Sequence, residues 1–176
     1  MRVLVTAATR HDATREIAEA IAAGLIERGM DAETRPIDEV TDLAGYDAVV
    51  LGSAVYMGRW LKSAHEFAER NVADLGAVPV WLFSSGPLGN PGHLIPQGEP
   101  AEVAELTELT GALGHSVFAG RLVRARLGVL ERATVRAVHA PEGDYRQWDA
   151  VRAFADEIAK QLGASGAGRR VGAGLS

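Results

Sequence analysis

The chain has 176 residues, of which 47% are hydrophobic and 23% charged; these are ordinary globular values and exclude wholesale disorder. A formal net charge of -5 argues against a nucleic-acid backbone as the partner. With no cysteine, disulfide scaffolds, Cys-ligated zinc, iron–sulfur clusters and thiol catalysis are excluded, and a reducing compartment is a natural home.

Arg2 to Thr6 is a short β-rich apolar run and predicts a buried strand. Ala7 to Ala13 is turn-like. Thr14 to Gly29 predicts a helix: Ile17, Ile21 and Leu25 share a face with Ala18, Ala22 and Ile26, and Gly29 is a good stop. Asp31 to Pro36 reads as an edge strand, and Ile37 to Leu43 as a connector with one helical turn. Ala48-Val49-Val50-Leu51 is a continuous apolar run, the mark of a central strand buried on both faces.

Ala54 to Arg59 reads as a loop, and Trp60 to Val72 as a helix with Leu61, Ala64, Phe67 or Ala68, and Val72 inward. Val78 to Phe83 predicts another buried strand, with Pro79 tolerable only near its start. Ser84 to Gly98 is rich in Gly and Pro and predicts a loop. Glu99 to Leu113 reads as a helix, and His115 to Gly120 as the last strand. Arg121 to His139 mixes apolar residues with Arg124, Arg126, Arg132 and Arg136. It reads more simply as an amphipathic helix with a solvated Arg face than as a membrane or anionic-partner surface. Gln147 to Leu162 predicts a final helix. Residues 163–176 are mostly Gly, Ala and Ser and predict a disordered tail, leaving 1–162 as the folded domain.

Met1 to Ala8 lacks the pattern of a signal peptide, and no run approaches the roughly 18 apolar residues of a spanning helix. A cytoplasmic protein is expected, with at most peripheral membrane contact. Lys62 and Lys160 are the only lysines among the 18 basic residues, an Arg bias that reads as genome composition.

Five strand–helix alternations predict an α/β fold with a doubly wound parallel sheet and right-handed crossovers. Ligands of such sheets sit at the carboxyl ends of the strands. Three segments therefore carry the functional expectation. In Ala7 to Thr14, a helix N-terminus, the hydroxyls of Thr9 and Thr14 and the cation of Arg10 suit an anion, without a P-loop lysine or a Gly-x-Gly-x-x-Gly fingerprint. A well-capped helix with no ligand would show the same residues. In Ser53 to Trp60, small residues beside Tyr56 and Gly58 suit a flat aromatic ligand, though Tyr56 and Trp60 also read as partly buried surface aromatics. Ser84 to Gly89 again offers small residues and backbone groups at a strand end.

Four stretches carry a family resemblance: Ala8 to Ala18, Tyr46 to Gly58, Phe83 to Gly89, and Ala140 to Trp148 with its Pro141-Glu142-Gly143-Asp144 motif. On these the chain resembles the flavodoxin-like FMN proteins. Within them it is most similar to the menaquinone-dependent protoporphyrinogen dehydrogenase subgroup and its flavodoxin-domain relatives. The resemblance implies a three-layer fold with a five-stranded parallel sheet of order 2-1-3-4-5. It implies FMN as cofactor, with the phosphate on Thr9, Arg10, His11, Asp12, Ala13 and Thr14. The isoalloxazine ring would lie between Ala54, Tyr56 and Gly58 on one side and Ser85, Gly86 and Leu88 on the other. The ring does the chemistry in such proteins, so no catalytic side chain and no metal are expected. The implied function is an FMN-dependent oxidoreductase acting on a quinone or porphyrinogen-like substrate; the alternatives are an electron carrier serving a redox partner protein and a flavin-free binding module. A homodimer is compatible with this fold. The family usually has Gly where this chain has Asp12. A carboxylate there is expected to repel a phosphate and to compete as a helix cap, with Arg10, Arg15 and protonated His11 offsetting part of the cost.

Other chemistries on related folds do not match. A phosphoacceptor receiver domain would need an acidic pair, an Asp and a Lys at three strand ends, where this chain has Ala7-Ala8, Ser53 and Arg121. No Gly-x-Ser-x-Gly elbow and no His-Glu-x-x-His motif is present. His65, His115 and His139 read as surface or core-edge residues.

Overall fold

The apolar runs at residues 2–8, 48–56 and 80–85 lie side by side in the middle of one sheet. A computed structural model of the protein describes residues 1–10, 12–56, 58–86, 101–122 and 143–172. In chain order the elements are β1 (Arg2–Ala8), α1 (Ala13–Glu27), β2 (Asp31–Pro36), a 3-10 turn (Ile37–Glu39), β3 (Ala48–Tyr56), β4 (Arg59–Trp60), α2 (Lys62–Arg70), α3 (Val72–Leu75), β5 (Val80–Ser85), α4 (Ala101–Thr110), β6 (Gly114–Phe118), β7 (Arg121–Leu122), β8 (Gly143–Asp144) and α5 (Trp148–Gly172). The five parallel strands run β2-β1-β3-β5-β6, the order that the family resemblance implies.

Alternation along the strands divides the core into two layers. Val3, Val5, Val50, Trp81 and Phe83 face α1 and α5, where Ile17, Ile21, Leu25, Val151, Ile158 and Leu162 are buried. Leu4, Val49, Leu51, Val80 and Leu82 face α2 and α4, against Phe67, Ala68, Val103 and Leu106. Gly24 lets α1 and α5 approach closely: a Cβ there would lie 2.9 Å from Ala155 Cβ. Gly52 of β3 has no side chain because the ring of its sheet neighbour Phe83 lies across it. That ring continues into Phe118 and then Phe154, with centroids 6.1 and 5.7 Å apart. The edge strand β2 alternates Asp31, Glu33 and Arg35 and ends at Pro36, a composition that discourages pairing with a further strand.

The expected elements differ from the observed ones at several places. Ala7 and Ala8, expected in a turn, finish β1, and the helix expected over Trp60 to Val72 is divided among β4, α2 and the start of α3. Ile26 and Val72, expected inward, are 54% and 40% exposed, because their helices turn those positions past the buried stripe. Within 54–59, expected as a loop, Ala54 to Tyr56 finish β3 and Arg59 opens β4, with Val55 opposite Trp60 and Tyr56 opposite Arg59; Met57 lies outside the described residues. Ser84 and Ser85, expected in a loop, finish β5 in register with Val117 and Phe118. The final helix, expected to end at Leu162, continues to Gly172 where a disordered tail was expected from residue 163. Within 121–139, Arg121 and Leu122 pair antiparallel with Asp144 and Gly143; the remainder of that stretch lies outside the described residues. Among the described residues no helix is long and apolar enough to cross a membrane.

Candidate functional site

The carboxyl ends of β1, β3 and β5 converge, in register: Ala8 lies beside Ser53, and Ala54 beside Ser85. The three predicted segments thus meet at one end of the sheet, as the topology requires.

Thr9 and Arg10 follow β1, and Asp12 opens α1. The Thr9 hydroxyl oxygen is buried and has no hydrogen-bond partner among the described residues. A buried orphan hydroxyl is costly, so it marks a place where a polar ligand would be welcome. The first intrahelical bond runs from the Glu16 amide to the Asp12 carbonyl at 2.9 Å, so the amides ahead of Glu16 have no partner within the helix. The Asp12 side chain does not cap them. It lies instead 3.4 Å from Arg15, in an exposed pair of small energetic weight. The competing cap allowed by the sequence therefore does not form. Asp12 also has φ 60°, the left-handed region, where it is the sole non-glycine among the described residues. That conformation explains why glycine suits the position, and Asp is among the few other residues that tolerate it. Ala13 begins α1, and Thr14 is buried in its first turn. His11 lies outside the described residues.

Arg10 reaches across to the second segment, its guanidinium 5.0 Å from the centroid of the Tyr56 ring. Ala54 is buried in β3, and Gly58 (φ 78°) turns the hairpin with open space where a Cβ would be. On the third segment Ser85 is buried at the end of β5. Gly86 has φ 140°, and a Cβ there would sit 2.9 Å from the Val55 carbonyl oxygen. Its amide donates to the Phe118 carbonyl at 3.1 Å, so this backbone donor, expected to be open to a ligand, is already used. Leu88 lies outside the described residues.

Two polar networks beside these segments escaped sequence reasoning. In the first, Glu102 opens α4 and grips the hairpin. Its Oε1 accepts from Arg59 Nε at 2.5 Å, and its Oε2 accepts from the Trp60 amide at 3.0 Å and lies 3.2 Å from His65 Nε2. Burial pushes the Glu102 carboxyl up, but the bonds from Arg59, His65 and Trp60 outweigh it and hold it below its usual range. The Trp60 indole N–H donates to Ser84 Oγ at 2.8 Å, and Ser84 Oγ lies 2.8 Å from His115 Nε2.

In the second network Arg146, only 4% exposed, bonds Asp144 through Nε and Nη2 and Glu16 through Nη1, while its guanidinium stacks 4.5 Å from the Trp148 centroid. Arg121 adds a second contact to Glu16 at 3.2 Å. The bond from Arg146 holds the Asp144 carboxyl below its ordinary range. The Asp144 to Trp148 stretch was a legible motif. Its partner Glu16, in the first turn of α1, was not. The network fastens the β7–β8 ribbon to the start of α1, next to the first segment.

A family model described as Flavodoxin domain matches residues 4–149. Among curated proteins, the chain is similar to protoporphyrinogen IX dehydrogenase [quinone] of Escherichia coli (strain K12), 26% identical over 172 residues, covering 90% of this chain and 95% of that one. Among solved structures, a flavodoxin from the domain Archaea superposes with a TM-score of 0.64 at 16% identity, over 92% of this chain and 99% of that one. Flavodoxin 1 from Bacillus cereus superposes with a TM-score of 0.61 at 15% identity, over 91% and 98% of the two chains. The sheet order, the converging strand ends and the matched span lead to one assignment: the chain belongs to the flavodoxin domain family.

Proposed function

We propose that this protein is an FMN-dependent oxidoreductase passing electrons to or from a quinone or porphyrinogen-like substrate. The observation that carries the cofactor reading is the buried Thr9 hydroxyl, unpartnered among the described residues, beside an α1 N-terminus that the Asp12 side chain does not cap. The E. coli dehydrogenase, similar over nearly its whole length, supports the substrate class.

The hydroxyls of Thr9 and Thr14, the first amides of α1 and the Arg10 cation would hold the phosphate, with His11 beside them. Ala54, Tyr56 and Gly58 would flank the ring on one side and Ser85, Gly86 and Leu88 on the other. When bound, FMN supplies a ring that accepts and releases electrons, and the chain orients it and sets its potential. The small residues at the strand ends let the backbone come close, and Arg10 against Tyr56 ties the phosphate side to the ring side.

The visible absorbance spectrum of the purified protein, with and without added FMN, tests the cofactor; a bound-flavin spectrum is expected. Turnover with a quinone and a reduced donor then separates an enzyme from an electron carrier. A colourless protein that ignores added FMN would sink the reading and leave a binding module.

Two substitutions test the phosphate side. Asp12→Gly is expected to tighten FMN about fivefold, because it removes a carboxylate from the helix N-terminus. It should also stabilise the flavin-free protein by up to about 1 kcal/mol, since glycine adopts φ 60° at no steric cost. Thr14→Ala is expected to weaken FMN about tenfold by loss of one hydroxyl contact. Flavin fluorescence titration measures both, and unchanged affinity in both would put the phosphate elsewhere.

A further inference from the structure

We infer that Glu102 is a positioning residue of the flavin site, its carboxylate holding the β3–β4 hairpin in place against the end of β5. The inference rests on the flavin reading and adds to it a residue from outside the three ligand-facing segments.

Glu102 stands at the start of α4, and its side chain is only 14% exposed. It spends both oxygens on the hairpin and α2. One takes the Arg59 Nε–H, and the other takes the Trp60 backbone N–H and faces His65. A two-residue strand such as β4 has little pairing of its own to hold it. The charge-assisted bonds to Glu102 supply what the short ladder lacks. From Trp60 the connection continues through the indole N–H to Ser84, whose chain neighbours Ser85 and Gly86 form the opposite ring-side wall. On the other strand of the hairpin, the Val55 backbone lies so near Gly86 that a Cβ there would sit 2.9 Å from the Val55 carbonyl oxygen, so the hairpin has little room to shift towards β5. The carboxylate thus sets the spacing between Tyr56 and Gly58 on one side and Ser85 and Gly86 on the other. The helix N-terminus beneath it favours the ionised form that makes these bonds.

The test uses the full chain and Glu102→Gln, which keeps the shape and removes the charge and one acceptor. Without flavin, hydrogen exchange at the Trp60 backbone and indole N–H groups is expected to rise about tenfold, the weight of one charge-assisted bond. With FMN, affinity is expected to fall about tenfold, and the visible band of the bound ring should shift. Thr14→Ala, on the phosphate side, should lower affinity and leave that band in place. Arg59→Gln, which breaks one arm from the other partner and has a solvent-exposed side chain, should change exchange and band in the same direction by a smaller factor. Wild-type affinity and an unshifted band in Glu102→Gln would overturn the positioning role, provided the wild type binds FMN. A wild type that binds no FMN would instead overturn the flavin reading itself and the positioning role with it.

Discussion

Gly52→Ala is expected to destabilise the fold by about 3 kcal/mol, the upper end of the cost of overpacking a well-filled core. A Cβ at this position would lie 2.1 Å from Phe83 Cζ and within 2.5 Å of both neighbouring ring carbons. Real Cβ atoms do not approach rings so closely, so the ring must leave. It has nowhere to go. Phe83 is fully buried, and it stands in the row that continues through Phe118 to Phe154 of α5. Displacing it would therefore disturb the helix layer as well as the sheet. Chemical denaturation of wild type and variant measures the difference, with the slope against denaturant reporting whether the native state stays compact. Phe83→Leu in the same background should recover part of the loss by shortening the obstructing side chain. A variant as stable as wild type would mean the sheet can open around β3.

Arg146→Met is expected to cost about 2 kcal/mol. Removing one partner of a fully buried pair costs about 3–5 kcal/mol, but Glu16 and Asp144 are partly exposed, so water takes up part of the loss. Met keeps much of the apolar length over Trp148, which isolates the charge contribution from the packing one. The effect should be local as well as global. Hydrogen exchange at the Tyr145 amide, which donates to the Gly120 carbonyl at 3.2 Å, should accelerate as the ribbon loosens.

The same pair predicts a pH dependence. The folded pKa of Asp144 is depressed, so its contribution is complete above the unfolded carboxylate pKa of about 4 and is lost as pH falls through the folded value. The stability gap between wild type and Arg146→Met is therefore expected to be flat from pH 8 to about pH 5 and to shrink below about pH 4. Denaturation series at these pH values check it; a gap that stays constant in acid would mean Arg146 acts without Asp144.

The central strands were legible because each is a continuous apolar run ended by turn residues, and burial on both faces leaves no other use for such a run. The phosphate-side residues were legible for a different reason: they fall between a strand and a helix, where topology puts ligands. The β3–β4 hairpin was not. Arg59 and Trp60 have no β pattern of their own; they pair with Tyr56 and Val55 and are bonded by Glu102, 42 residues beyond Trp60. Arg146 depends on Glu16, 130 residues away, so its motif showed in the sequence while its purpose did not. Asp12 lay between these cases. Its departure from glycine was visible, but the left-handed backbone that makes glycine the natural choice required the structure. The continuation of α5 to Gly172 went unseen because its Gly, Ala and Ser residues lack an apolar stripe.

The β7–β8 pairing has a consequence for how this protein can change over time. Arg121 pairs with Asp144 and Leu122 with Gly143, so two points with 20 residues between them in the chain are held side by side next to α1. The sequence between the two strands can therefore change while the ribbon stays fastened to α1 through Arg121, Arg146 and Glu16. Diversity among relatives is therefore expected to concentrate there, with the sheet and its converging strand ends unchanged beneath it.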